Sequence, residues 1–151
     1  MMIKTVSAEQ TLAVRAEVLR PGQPLSACVF AGDHDPHTRH FGAVDPQAAD
    51  PQECIIGVAS IYRVAHPDIK GEPQYQLRGM AIQPAYRGQG IGELLLGSCE
   101  QYAQACGAAL MWANARSSAL EFYRKLGYHT VSEEFEMASV GPHCRVMKAL
   151  S

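Results

Sequence analysis

The chain has no block of like charge, no long apolar run and no paired-cysteine motif, and each absence removes a class of function. Thirteen basic residues stand against fifteen acidic ones, a formal net charge of -2. Without a basic cluster, a broad affinity for nucleic acid or acidic membranes is not expected. No segment approaches the ~20 consecutive apolar residues that a membrane-spanning helix needs, and the opening MMIKTVSAEQ lacks the positive-then-apolar plan of a secretory signal. The expectation is a soluble, cytoplasmic protein with a small partner, no nucleic-acid partner and no membrane. Five cysteines, Cys28, Cys54, Cys99, Cys106 and Cys144, include no C-x-x-C, which fits reduced thiols. Cys99 and Cys106 lie seven apart on a helical stretch and are expected to share a buried face.

What is present is an alternation of strand and helix signals over a length of 151 residues, suited to a single domain spanning 1–151. MIKTVS reads as a strand. AEQTLAVRAEVLR reads as a helix with Leu12, Val14, Val18 and Leu19 on one side and RPG as its stop. RHFGAV is a candidate strand within a region rich in Pro, Gly, Asp and His, and DPQAADPQ is a turn-forming loop. CIIGVASIYRV and YQLRGMAI are strands, AALMWANA is another, SSALEFYRKL is a helix stopped by GYH, and the terminal run has room for two antiparallel strands. In AALMWANA, Met111 and Trp112 are expected to face opposite sides. The fold class is α/β, in the mixed α+β sense.

The segment AIQPAYRGQGIGELLLGSCEQYAQ carries the chemistry. An apolar strand end (Met80, Ala81, Ile82) and a proline turn lead into Arg87, Gly88, Gln89, Gly90, Ile91 and Gly92, where a helix begins. Glycines let backbone N–H groups approach an anion, and the first helical turn supplies unpaired donors at the positive end of the macrodipole. Arg87 adds a forked cation suited to phosphate oxygens. Ile91, Leu95, Cys99, Tyr102 and Cys106, with Leu94 beside them, give the helix one apolar face. The spacing is neither a P-loop nor G-x-G-x-x-G, and a tight αL turn for close packing is the non-binding alternative.

The run RGQGIG after MAIQPAY resembles the acetyl-CoA signature Q/R-x-x-G-x-G/A of the Gcn5-related N-acetyltransferase (GNAT) superfamily, filled here by Arg87, Gly90 and Gly92. NARSSALEFYRKLGY, residues 114–128, is similar to that superfamily's next block. EVLRPGQP, GDHDPHTRHFGA and VGPHCRVMKAL resemble, more loosely, small bacterial members of unassigned substrate. The resemblance implies a mostly antiparallel mixed sheet of about six to seven strands with about four helices, splayed between its fourth and fifth strands. The pantetheine arm of acetyl-CoA would pair with Met80, Ala81 and Ile82 as an added strand. Residues 87–92 would hold the diphosphate, and Asn114 would contact the pantetheine or nearby backbone.

The implied reaction is attack of an amine on the acetyl thioester. The ammonium, with a pKa of ~10.4, must lose a proton, and the leaving thiolate, with a pKa of ~8.5, gains from a donor. By resemblance Tyr123 is the general acid, and a backbone N–H near Met80 is the oxyanion donor. His143 is the candidate base or substrate contact, with a structural hydrogen bond as its other reading. Glu133, Glu134 and Glu136 read as a solvated strand edge. Arg116 is a candidate cofactor contact or a surface residue. The acceptor expected is a small-molecule amine; homodimers are common in the superfamily, though no motif marks one here.

Asp33, His34, Asp35, His37 and His40 are metal-ligand types, but their spacing suits neither a helical pair nor a finger, and no metal is expected. With Arg15 and Arg20 this segment either lines the acceptor pocket or forms a polar surface loop. Two other functional classes stay open: a non-catalytic acyl-CoA-binding module and a nucleotide-binding domain.

Overall fold

The computed structural model describes residues 1–47, 54–138 and 140–150. In chain order these form β1 (Met2–Val6), α1 (Ala8–Val18), β2 (Arg39–Val44), β3 (Ile55–Tyr62), β4 (Gln74–Ile82), α2 (Ile91–Ala105), β5 (Leu110–Arg116), α3 (Leu120–Lys125), β6 (His129–Thr130), β7 (Phe135–Met137) and β8 (Gly141–Ala149). The sheet has eight strands in the order β1-β2-β3-β4-β5-β8-β6, with β7 also on β8. It is mostly antiparallel, and the pairing of β4 with β5 is parallel. This is the expected mixed α/β architecture. The strand count rises to eight because the terminal run adds the short β6 and β7. The described helices number three, with single 3-10 turns such as Pro84–Tyr86 and Ser117–Ala119 between them. The expected loop DPQAADPQ falls outside the described residues except for residues 45–47.

The chain divides into two compact units. The first is Met1–Tyr62 with Leu77–Tyr102, the second Arg63–Gln76 with Ala103–Ser151, and β4 contributes residues to each. In the first unit, all eight residues of β3 are buried, the mark of a strand covered on both faces. Helix α1 starts at a capping box: the Ser7 hydroxyl accepts from the Gln10 N–H at 3.2 Å, and the Gln10 side chain accepts from the Ser7 N–H at 2.8 Å. Val14 packs with Val6, Val44, Ile55, Val58 and Ala81, and Val18 and Leu19 lie against them. The helix ends at Val18, two residues before the expected stop: the Leu19 N–H still makes the helical bond to the Arg15 carbonyl, and the Arg20 N–H turns back to that same oxygen instead of continuing the ladder.

Helix α2 buries Ile91, Leu95, Leu96 and Cys99. Two expectations for it are corrected. Leu94 is 48% exposed, the stripe running through Leu96 instead. Cys106 is exposed while Cys28, Cys54, Cys99 and Cys144 are buried. The reason is the end of the helix, where the Ala108 N–H reaches the Ala103 carbonyl at 2.9 Å and the Gly107 N–H reaches the Gln104 carbonyl at 3.0 Å. This is a Schellman motif with Gly107 in the left-handed region at φ +79°, so Cys106 sits beyond the buried face. Burial pushes the Cys99 thiol pKa well up.

In the second unit β5 pairs with β8 over seven residues, from Leu110↔Ala149 to Arg116↔His143. The parallel ladder between β4 and β5 covers three pairs, Gln74↔Leu110, Tyr75↔Met111 and Gln76↔Trp112. Met111 and Trp112 alternate as expected. The Met111 sulfur meets the Tyr128 hydroxyl at 3.8 Å, while Trp112 packs with Ile69, Leu110, Val131 and Met147 and donates its Nε1–H to the Val64 carbonyl at 2.8 Å. Helix α3 ends as the GY signal predicts: Gly127 is left-handed, and the Tyr128 N–H returns to the Tyr123 carbonyl at 3.0 Å.

Leu95 has no exposed surface, so Leu95→Ala leaves a cavity in the first unit. We expect a loss of about 2–5 kcal/mol, read as a lower urea midpoint at unchanged slope.

Candidate active site

The glycine loop lies in the first unit and is held from both sides. Strand β4 brings Met80, Ala81 and Ile82 to its end, with Ala81 buried. The Gln83 N–H donates to the Ile56 carbonyl at 2.8 Å, and the Gln83 side-chain amide donates to Glu17 at 3.0 Å. The Tyr86 hydroxyl donates to Asp45 at 2.8 Å. That bond pushes the Tyr86 pKa up, and the same contact, after a hydrogen bond from the Gln47 N–H, holds the Asp45 carboxyl down. Gln83 and Tyr86 were not foreseen as anchors; their only signal in the sequence is a polar side chain in a strand-to-helix turn.

Beyond this anchored turn the backbone is bare. Gly88 and Gly90 sit at φ +79° and +78°, the left-handed region that L side chains rarely adopt, and a Cβ at either would meet no atom within 4 Å. Glycine is required at both by backbone conformation, not by packing, and the space where a side chain would stand is open. Ile91 anchors the start of α2 at 2% exposure. The first donor to find an intrahelical acceptor is the Leu94 N–H, to Gly90 at 3.2 Å. The N–H groups of Gly90, Ile91, Gly92 and Glu93 therefore have no acceptor within the helix. Arg87 is exposed and folds back, its Nε–H donating to the Ile82 carbonyl at 3.2 Å, beside the exposed Gln89. Open donors, a helix dipole and a guanidinium are the groups that an anion site is built from. Farther back on β4, Gly79 is also left-handed, at φ +67°, breaking the strand's alternation just before Met80.

The second unit carries Asn114, Tyr123 and His143. Asn114 on β5 faces Arg145 on β8 across the ladder, and His143 faces Arg116 two residues along it. The Asn114 Oδ1 atom is buried without a hydrogen-bond partner among the described residues. An orphaned acceptor costs roughly 1–3 kcal/mol, and an amide N–H of a ligand would satisfy it. His143 is buried, and its Nδ1–H donates to the Gly141 carbonyl at 2.8 Å. Tyr123 is buried on α3 with its ring edge-on to Phe122 and to Tyr128 at 5.2 and 5.6 Å. Each unit by itself offers a group of the kind a coenzyme A thioester could use: in the first, amides with no acceptor in their helix, suited to a diphosphate, and in the second, an unfilled acceptor suited to an amide N–H.

The Asp- and His-rich segment is not the polar surface loop it resembles. His34 and His37 are exposed, but Asp33 and His40 are buried, and Arg15 has no exposed surface. The Arg15 guanidinium donates to both Asp33 oxygens at 2.8 and 3.2 Å, to the Cys28 carbonyl, to Ser60 and to Tyr62. Tyr62 donates to Asp33 at 2.5 Å, and His40 bonds Ser60 and the Asp33 carbonyl. Burial opposes ionisation of Asp33, yet hydrogen bonds from Arg15, Tyr62 and the Phe30 N–H hold its pKa at about 2. Burial and the bond to Asp33 push Tyr62 up to about 12, and burial lowers the His40 pKa. Among the described residues no three His, Cys, Asp or Glu side chains gather to hold a metal.

Comparison with known proteins gives the family and the fold. The family model "Acetyltransferase (GNAT) family" matches residues 9–128. The uncharacterized N-acetyltransferase YitI of Bacillus subtilis (strain 168) is 31% identical over 98% of this chain and 95% of its own. Among solved structures, the NatC complex bound to Gag peptide and CoA is similar at a TM-score of 0.78 and 16% identity, over 99% of this chain and 98% of that one. An aminoglycoside 6'-N-acetyltransferase complexed with coenzyme A is similar at 0.75 and 15%, over 100% and 98%. These two likenesses are of fold.

The buried network makes stability fall on acidification in two windows. His40, with its lowered folded pKa, binds its proton more readily unfolded, so stability drops as pH falls below ~6.5. Asp33 contributes stability that is present above ~4 and lost as pH falls through about 2. We expect urea unfolding across pH 7 to 2 to show both steps. In Asp33→Asn the acid step should be missing, and stability at pH 7 should be lower by about 3–5 kcal/mol, since Arg15 is left buried and unpaired.

Proposed function

Because the chain belongs to the acetyltransferase (GNAT) family, we propose that it is an acetyl-CoA-dependent N-acetyltransferase that moves the acetyl group to a primary amine by direct attack. The observation that carries this reading is the pair of left-handed glycines, Gly88 and Gly90, opening onto the amides at the start of α2 that have no acceptor within the helix. In this reading the N–H groups of residues 88–92 and the Arg87 guanidinium bind the diphosphate. The main-chain groups of Met80, Ala81 and Ile82 pair with the pantetheine amides, and the Asn114 Oδ1 accepts from the pantetheine or nearby backbone. The acceptor is a small-molecule amine.

Tyr123 is the proposed general acid, a phenol able to hand its proton to the thiolate as the C–S bond breaks. A main-chain N–H near Met80 stabilises the oxyanion. His143 is the proposed base or acceptor contact: with Nδ1–H committed to Gly141, its Nε2 keeps the lone pair that takes a proton.

Tyr123→Phe is expected to lower kcat for thiol release roughly a hundredfold, with little change in the KM for acetyl-CoA. Unchanged turnover above neutral pH removes the assignment. Gly90→Ala puts a methyl into the open side of a left-handed position, and we expect acetyl-CoA affinity measured by calorimetry to fall about tenfold or more. Tight binding of acetyl-CoA with no amine able to stimulate thiol release would identify a binding module instead.

A further inference from the structure

Three guanidinium groups gather on one ring in the first unit. The Phe30 centroid lies 4.1 Å from Arg15, 4.9 Å from Arg78 and 5.9 Å from Arg20, and Arg78 also lies 5.3 Å from the Tyr62 centroid. Their charges are not equivalent. Arg15 is neutralised by Asp33, whose oxygens are already taken by Arg15, Tyr62 and the Phe30 N–H. Arg20 and Arg78 have no ion-pair partner among the described residues. Arg78 makes a long 3.5 Å contact to the Ala31 carbonyl, and Glu17 on α1 accepts from Gln83. Two uncompensated cations held beside a third around one ring favour an incoming anion.

Position gives that anion a role. Arg78 and Met80 lie on β4, and the glycine loop follows Ile82. At ~3.3 Å per residue, Arg78 stands roughly 13 Å back along the strand from Ile82, the direction in which an arm extended from the loop along β4 would carry its acyl end. Between Arg78 and Met80 the chain has Gly79, where a Cβ would come within 3.1 Å of the Phe30 ring and 3.3 Å of the Arg15 Nε atom. That Nε is itself buried without a partner among the described residues.

Resting on the acetyl-transfer reading above, we propose that the acceptor is an amine that also bears an anionic group, a carboxylate or a phosphate, and that Arg78 and Arg20 bind this group. The acceptor nitrogen then forms its bond to the acetyl carbon as the C–S bond breaks. One ammonium proton passes to a base or to water, and a second ends on the departing sulfur.

The test is calorimetric titration of the CoA-loaded protein with 3-aminopropanoate and 2-aminoethyl phosphate, against the neutral-bodied amines 3-aminopropanamide and ethanolamine, followed by thiol release from acetyl-CoA with the same four. At least one anionic amine should bind and exceed its counterpart at least tenfold in kcat/KM, and which one does so separates carboxylate from phosphate. Arg78→Gln should cut that preference about tenfold while CoA affinity holds; Arg20→Gln serves the same comparison if the first variant does not fold. Equal use of the paired amines, preference for the neutral ones, or no binding of any of the four overturns the proposal. Failure of the parent protein to bind CoA instead removes the acetyl-transfer reading itself.

Discussion

A guanidinium with no exposed surface has to be answered from every side, and Arg15 draws the first unit together in being answered. Its partners come from the turn at Cys28, from Asp33 and from Ser60 and Tyr62 of β3. His40 joins β2 to the same set through Ser60 and the Asp33 carbonyl. A segment with little regular structure between α1 and β2 is thereby fixed by polar contacts. Removing one partner leaves a buried charge alone, which is why such networks hold one arrangement firmly even when their net contribution to stability is small.

The turn from β4 into α2 follows the opposite logic. There the polar groups are left open: the side chains of Gln83 and Tyr86 tie the turn down, and the backbone that follows carries left-handed glycines and amides with no acceptor in the helix. Rigid flanks around unsatisfied donors are what an anion site needs, since the cost of ordering the loop is met by folding and not by the ligand. The same contrast separates the arginines around Phe30, where Arg15 has its carboxylate and, among the described residues, Arg20 and Arg78 do not.

The order of elements was legible because their periodicities are local. The apolar run of β3, the spacing of Ile91, Leu95 and Cys99, and the glycine stops at Gly107 and Gly127 each speak for themselves. The loop was legible for the same reason, its glycines being adjacent to the helix they open. The Arg15 network was not, because Arg15 and Asp33 are eighteen residues apart and Tyr62 lies twenty-nine beyond Asp33, with no pattern linking them. An acid among histidines reads as surface or metal ligand until the arginine that buries it is seen. Cys106 was misplaced because the helix ends one residue before it, at Ala105, and Leu94 because it lies about a quarter-turn off the buried Leu95; two-residue β6 is too short to leave a signal of its own.

The most direct test of the glycine loop as a diphosphate site is amide chemical-shift mapping while CoA is titrated into the labelled protein, with pantetheine as the control that lacks the diphosphate. Binding there predicts that the largest CoA-specific shifts fall on the amides of Gly88, Gly90, Ile91 and Gly92 and are missing with pantetheine. Shifts that cluster elsewhere, or none at millimolar CoA, would contradict it.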